Sequence, residues 1–384
     1  MAVYLDHNAT TPMRPEVRAL FLEVLEALGG NASSVHASGR AARQRVDEAR
    51  ERAAAALGVA EDEVLFTSGA TEANNLALLG YLRPRGARAG LVTSRVEHSS
   101  VLEPAERLER EGHRVVRVGV DREGRVDLEH LLDAARAPGC ALVSVMAANN
   151  EVGSLTPLER VGAGLAALDP ALRPVLHSDA VQALGRVPLD LARSGVGLAS
   201  FSAHKLGGPL GVGVLVRRRG IALEGLVFGG GQEGGVRPGT ENVPAIAAAA
   251  LAIELAAAQR EDYGRHTRRI TSLLWTEVRR ALPGASLSGP PVTSEDRLPN
   301  TLNVLVPGVD GRVLVTRLDV AGLEASAGSA CASGSLEPSH VLLAMGRTSE
   351  EARAGLRLSV GRDTTPQDVH TAVETLRKIL GRSA

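Results

Sequence analysis

Leu198-Ala-Ser-Phe-Ser-Ala-His-Lys205-Leu-Gly-Gly208 runs from an apolar stretch into a Ser/His/Lys/Gly segment. A short apolar run that stops this way reads as a buried strand with a polar loop at its C-terminal end. The same grammar recurs on both sides. Glu63–Phe66, Leu91–Thr93, Arg114–Val118, Ala141–Met146, Pro174–His177 and Val212–Val216 are the other strand candidates. Helical periodicity fills the gaps. Ala42, Val46, Ala49, Ala53 and Leu57 share one face, and Gly58 is placed to end that helix. Helices are also expected over 71–82, closed by Pro84, and over 101–111. Strands alternating with helices predict an α/β domain around a mixed, mostly parallel sheet.

The pattern changes after the glycine-rich stretch 229–239. A long helical region is expected from 243 to 282, broken near Pro283-Gly284. Strands at 301–306 and 355–359 and helices at 311–320 and 366–380 then predict a smaller α+β domain. The expected division is a large domain at 15–258, with residues 1–14 and 259–384 forming the small one.

The 384 residues carry a formal net charge of -1, which gives no global field for holding nucleic acid or an acidic membrane. The N-terminus shows no signal peptide, and the apolar run Ala245–Ile253 is too short to span a bilayer. A cytoplasmic enzyme is expected. The histidines form no HxxxH or HExxH pair, and there are only two cysteines, Cys140 and Cys331, so no zinc site is expected. Only Lys205 and Lys378 are lysines, so lysine chemistry has two candidates.

Lys205 follows a strand end, where α/β sheets place their sites, and a lysine there can form a Schiff base. The commoner case for any lysine is an exposed one. Asp179, in His177-Ser-Asp-Ala-Val-Gln182, can pair with a ring-nitrogen cation or cap a helix. Thr67-Ser-Gly-Ala-Thr71 joins strand to helix and leaves backbone N–H groups for a phosphate, or for plain capping. His98 is an acid–base candidate able to stack on an aromatic cofactor. Gly229–Thr240 reads as a flexible loop or one that closes on a ligand or a second subunit. Cys331 lies in Ala327-Gly-Ser-Ala-Cys-Ala-Ser-Gly334, a small and polar setting for an accessible nucleophile, whereas Cys140 leads an apolar strand.

The order of these segments resembles the pyridoxal-phosphate-dependent cysteine desulfurases, in the nitrogen-fixation and iron–sulfur-cluster branch of the class-V aminotransferases. The motifs are Tyr4-Leu-Asp-His-Asn-Ala-Thr-Thr-Pro12, Ser68–Glu72, Glu97-His98, Asn149-Asn-Glu-Val-Gly153, His177–Gln182, Ser202–Lys205, Gly229–Thr240, Gly328–Cys331 and Leu356–Arg362. The resemblance implies fold type I, with a seven-stranded sheet. It implies that Lys205 carries the cofactor, Asp179 faces the pyridine nitrogen and His98 stacks on the ring and moves protons. Asn150 and Gln182 would contact the 3-oxygen side. Ala70, Thr71, Ser202 and His204 would hold the phosphate, and Thr240 would reach the phosphate of a second subunit in a homodimer. Arg357, with Asn31, would bind the substrate carboxylate, and Cys331 would take the sulfur of L-cysteine as a persulfide for a protein acceptor. That acceptor would serve iron–sulfur cluster assembly or tRNA or cofactor thiolation. A selenocysteine lyase, another fold-type-I enzyme and an inactive scaffold or sulfur-carrier subunit are the alternatives. Val181, Gly234 and Ala32 depart from the family's usual Thr, Arg and Pro.

Overall fold

The structure is a computed structural model and describes residues 2–27, 29–328 and 337–381. Seven strands form the main sheet: β1 (Val64–Thr67), β2 (Gly90–Ser94), β3 (Val115–Val118), β4 (Cys140–Ser144), β5 (Val175–Asp179), β6 (Leu198–Ser202) and β7 (Gly213–Arg217). Their order is β1-β7-β6-β5-β4-β2-β3. Strand β7 runs antiparallel to both its neighbours, and the other pairs are parallel. The expected mixed, mostly parallel sheet is what forms.

Side chains one residue apart on these strands enter different cores, as the two-residue period of a strand requires. Phe66, Val92, Val143 and Val216 join the core that includes Ala49 and Ala53 of helix Ala37–Leu57 and most of helix Val243–Ala258. Leu65, Leu91, Leu142 and Leu215 join the core of helices Ala70–Leu82 and Ser99–Arg110. Both faces are covered, so the strands carry apolar residues on both faces. Gly58 ends helix Ala37–Leu57 in the left-handed conformation, at φ 66°.

A separate core gathers Val3 and Leu5 with residues from Ile270 to Leu376. It packs around a three-stranded antiparallel sheet, with Thr301–Leu305 between Ser286–Ser288 and Gly355–Ser359. The long helical region expected over 243–282 breaks at Gln259, not only at its end. Helices Val243–Ala258 and Arg260–Ala281 meet at 70°. The two halves serve different cores. Val243–Ala258 is buried nearly all round, whereas Arg260–Ala281 buries one face through Ile270, Leu274 and Val278. No single described helix is long and apolar enough to cross a membrane.

Strand β1 is an edge of the main sheet, and its open side is capped by side chains. Arg50 donates to the Val64 carbonyl, and a Glu233 carboxylate oxygen accepts from the Phe66 N–H at 3.0 Å. Arg50 and Glu233 also pair with each other through two contacts, at 2.6 and 3.0 Å. Glu233 lies in the glycine-rich segment and has φ 47°. Among the described residues it alone holds a positive φ without being glycine. Such strain persists where surrounding contacts over-determine it.

Candidate active site

The parallel strands stop on one side of the sheet, and the residues that follow them meet there. A cavity of about 330 Å³ is lined by Ala70, Thr71, His98, Asn150, Asp179, Gln182, Ser202, His204, Lys205 and Arg357. Ten residues named from the sequence therefore face one space. Thr240 and Asn31 do not line it. Both are exposed, and Asn31 accepts from the Ser33 N–H at 2.8 Å. Cys331 lies outside the described residues.

Lys205 follows β6 on a short 3-10 turn, Ala203–Leu206. Its Nζ donates to the carbonyl of Asn8 at 2.7 Å and to that of Ala9 at 2.5 Å. The ammonium is thus held by backbone dipoles from the N-terminal segment.

Asp179 ends β5 and is buried. One carboxylate oxygen accepts from the Val181 N–H at 3.1 Å. The other accepts from Asn74 Nδ2 at 2.8 Å. Asn74 also donates to Ser100 Oγ at 2.8 Å, and Ser100 Oγ lies 2.8 Å from His98 Nδ1. The backbone N–H of Ser100 also points at Nδ1, at 3.1 Å. Nδ1 is therefore an acceptor, and the neutral ring carries its proton on Nε2. Proton exchange with a ligand in the cavity falls to Nε2. His98 also caps helix Ser99–Arg110, so its capping and its place in the cavity coexist.

The loop after β1 leads into an open helix N-terminus. Helix Ala70–Leu82 starts after Gly69, with no side chain capping it. Its first N–H groups are open, which favours an anion. Gly213 of β7 lies against this turn. A Cβ there would sit 2.6 Å from the Gly69 carbonyl carbon, so the close approach requires glycine. Glu72 braces the turn, accepting from Ser68 N–H at 2.6 Å and from Arg237 at 2.9 Å. Ser202 and His204 line the same cavity. Burial, with Lys205 and Arg186 adding like charge, pushes the His204 pKa down to about 4. Its ring is neutral near pH 7 and lies 3.1 Å from Thr10 Oγ1.

Arg357 lies on strand Gly355–Ser359 with 1% of its surface exposed. It donates to Asp6 at 2.7 Å and to the Asn150 carbonyl at 3.2 Å. Its Nε has no hydrogen-bond partner among the described residues. Cys140 is a poor nucleophile, because burial pushes its thiol up to about 11.

Several supporting residues were given no role from the sequence. Asn8 is a hub. Its carbonyl accepts from Lys205 and from Gln182, its amide donates to Asn150 O and Thr301 Oγ1, and its Oδ1 accepts from Asn300 and Arg186. The motif Tyr4–Pro12 was the only signal for it. Asn74 and Ser100 gave no separate signal, since a lone polar residue in a helix carries no local mark of its burial.

Glu97 is fully buried beside His98. One of its oxygens accepts from Ser94 Oγ at 2.5 Å and from Met146 N–H at 3.0 Å. Burial, with Asp179's charge adding to it, pushes the carboxyl from about 4.5 up to about 8. Between those values the unfolded chain releases the proton and the folded chain keeps it. Glu97 therefore lowers stability progressively as pH rises from about 4.5 to about 8, and not further above that. Glu97→Gln keeps the acceptor and removes the titration. Its urea midpoint is expected to fall less than the wild type's between about pH 5 and about pH 8.5. Equal falls would show that Glu97 does not titrate in this window.

Comparison with known proteins places this geometry. The family profile "Aminotransferase class-V" matches residues 3–371. "Cysteine desulfurase IscS" of Dictyoglomus turgidum is 40% identical over 381 residues, covering 98% of this chain and 94% of the relative. "Putative cysteine desulfurase IscS 1" of Bacillus subtilis is 39% identical, covering 99% of each. Among solved structures, a "NIFS-LIKE PROTEIN" superposes with a TM-score of 0.92 at 36% identity over 100% of both chains. "SspA in complex with cysteine" gives 0.78 at 29% identity, over 94% of this chain and 99% of that one. The fold-type-I architecture expected from the sequence is the one shared with the NifS-like chain. The family profile and these relatives run along almost the whole chain, and the chain belongs to the class-V aminotransferase family.

Proposed function

We propose that this chain is a cysteine desulfurase that uses pyridoxal phosphate. It converts L-cysteine to L-alanine and leaves the sulfur on Cys331 as a persulfide. One observation carries the reading: Lys205, Asp179, His98 and the open helix N-terminus at Ala70 face a single cavity that Arg357 also lines. That set fits the cofactor. Lys205 offers the amine, Asp179 a braced carboxylate for the ring nitrogen, and the Ala70 and Thr71 N–H groups a phosphate cradle. When bound, pyridoxal phosphate supplies the electron sink for carbanion chemistry at the substrate.

The chain's residues supply the rest. Arg357 holds the substrate carboxylate, which a buried guanidinium with unused donors suits. Asn150 and Gln182 serve the ring's 3-oxygen side. Lys205 or His98 Nε2 moves the Cα proton. The thiolate of Cys331 attacks the substrate sulfur, so one C–S bond breaks, one S–S bond forms, and a proton completes the alanine methyl group. A free thiol with pKa near ~8.5 is mostly protonated at neutral pH, so a base must take its proton.

The expected working form is a homodimer in the cytoplasm that passes sulfur to a protein acceptor, without stable nucleic-acid or membrane binding. Val35, Val227 and Phe228 are exposed near Asn31 and the glycine-rich segment. Covering that face with a second copy suits Thr240, which is exposed and would serve the other copy's phosphate. The cores on the two faces of the main sheet, set against the separate core of Val3, Leu5 and residues 270–376, support a large domain at 15–258, with 1–14 and 259–384 as the small one.

The test is alanine formation by the cofactor-loaded protein, from L-cysteine and separately from L-selenocysteine. Alanine from cysteine is expected. Alanine from selenocysteine alone would make the protein a selenocysteine lyase, and alanine from neither would leave another fold-type-I activity or the scaffold reading.

A further inference from the structure

We infer that Asp6 is a positioning residue that builds the carboxylate subsite by aiming Arg357. The inference rests on the reading of Arg357 as the group that takes the substrate carboxylate.

The accounting starts with the guanidinium. Arginine has five N–H donors and no acceptor. In Arg357 one terminal nitrogen donates to Asp6 Oδ1 at 2.7 Å, and the other donates to the Asn150 carbonyl at 3.2 Å. Nε is buried without a partner among the described residues. These contacts therefore use a minority of the donors, and the side chain lines the cavity. A guanidinium this buried needs a counter-charge, because an unpaired buried ion is costly. Asp6 is the carboxylate paired with it.

Asp6 is itself fixed from three directions. Its second oxygen accepts from Ser326 Oγ at 2.8 Å. Its backbone carbonyl accepts from the Tyr4 hydroxyl at 3.1 Å. The N-terminal segment runs beside strand Gly355–Ser359, and Asp6 forms a parallel bridge with Ser359. Ser326 and Arg357 also exchange backbone hydrogen bonds, at 2.7 and 3.2 Å. Asp6, Ser326 and Arg357 thus form a closed triangle of two side-chain contacts and one backbone pair.

The physical consequence is preorganisation. Arginine carries large rotamer entropy, and a clamp on one terminal nitrogen removes it before the ligand arrives. The remaining donors then meet a carboxylate without rearrangement. Asp6 takes no part in proton transfer or in the bond changes, so its effect appears in recognition of the carboxylate.

The experiment compares the cofactor-loaded wild type with Asp6→Ala, Asp6→Asn and Arg357→Ala. The readout is the Kd of L-alanine, followed by cofactor absorbance, against that of ethylamine, the same amine without a carboxylate. The preference for L-alanine is expected to fall by about tenfold or more in Asp6→Ala, the scale on which lost orientation is felt. Asp6→Asn keeps an acceptor for Arg357 but loses the counter-charge, and is expected to lose the preference several-fold less than Asp6→Ala. A mere folding defect would weaken both ligands together. If Arg357→Ala loses the preference while Asp6→Ala keeps it, the Asp6 inference is overturned and the role of Arg357 stands. It is also overturned if Asp6→Asn falls as far as Asp6→Ala. If Arg357→Ala keeps the preference, the carboxylate reading of Arg357 itself fails.

Discussion

Lys205→Ala is expected to lower alanine formation from L-cysteine by about a thousandfold or more, the scale seen when a nucleophile that works in concert with its neighbours is removed. The visible absorbance of the cofactor joined to the lysine should vanish with it. The fold should survive the change. Lys205 Nζ is held by the carbonyls of Asn8 and Ala9, and the Asn8 carbonyl keeps a second donor in Gln182 Nε2 at 3.1 Å. Thermal unfolding should therefore change little while activity disappears. Turnover within about tenfold of wild type would show that another amine carries the chemistry. Lys378 is the one other lysine, and it lies in helix Pro366–Gly381, far along the chain from the strand ends that build the cavity.

Cys331→Ala is expected to separate binding from sulfur transfer. L-Cysteine should still perturb the cofactor absorbance, because Lys205, Asp179, His98 and Arg357 line the cavity independently of that thiol. Alanine and sulfide production should fall by about a hundredfold or more, as expected when a covalent acceptor is lost. Mass spectrometry of the wild type after one turnover should find one added sulfur atom on Cys331 and none on Cys140. The contrast has a physical basis. Cys140 starts β4, and burial holds its thiol protonated, up at about 11. Full turnover in Cys331→Ala would remove the persulfide step from the proposal.

Much of this was legible because the site lies at strand ends. Lys205, Asp179 and the Ser68–Thr71 cradle each follow an apolar run, and short runs bounded by polar residues show in the sequence. Their convergence was legible as well, since parallel strands bring their C-terminal ends to one side. The braces were not. Asn74 reaches Asp179 across 105 positions, and Asn8 reaches Asn300 across 292. Such contacts depend on how layers stack, which no local pattern encodes. The bend at Gln259 was hidden for a related reason. Both flanking segments have good helical sequences, and the turn exists because they bury against different cores. Glu97 was visible only as the neighbour of His98, since nothing in a single sequence marks a carboxyl as buried.

The Arg50–Glu233 cap on β1 has a consequence beyond the cavity. An uncovered sheet edge is a template for another chain. Here two side chains occupy the backbone groups that an intruding strand would use, and one of them comes from a glycine-rich loop. Order in that loop thus guards against unwanted strand addition as well as shaping the surface near the site. Gly234 and Gly235, both at positive φ, let the chain turn sharply enough for Glu233 to reach the edge. A loop freed by mutation would leave the molecule sticky before it left it unfolded. Its defect would register first as concentration-dependent loss of soluble protein.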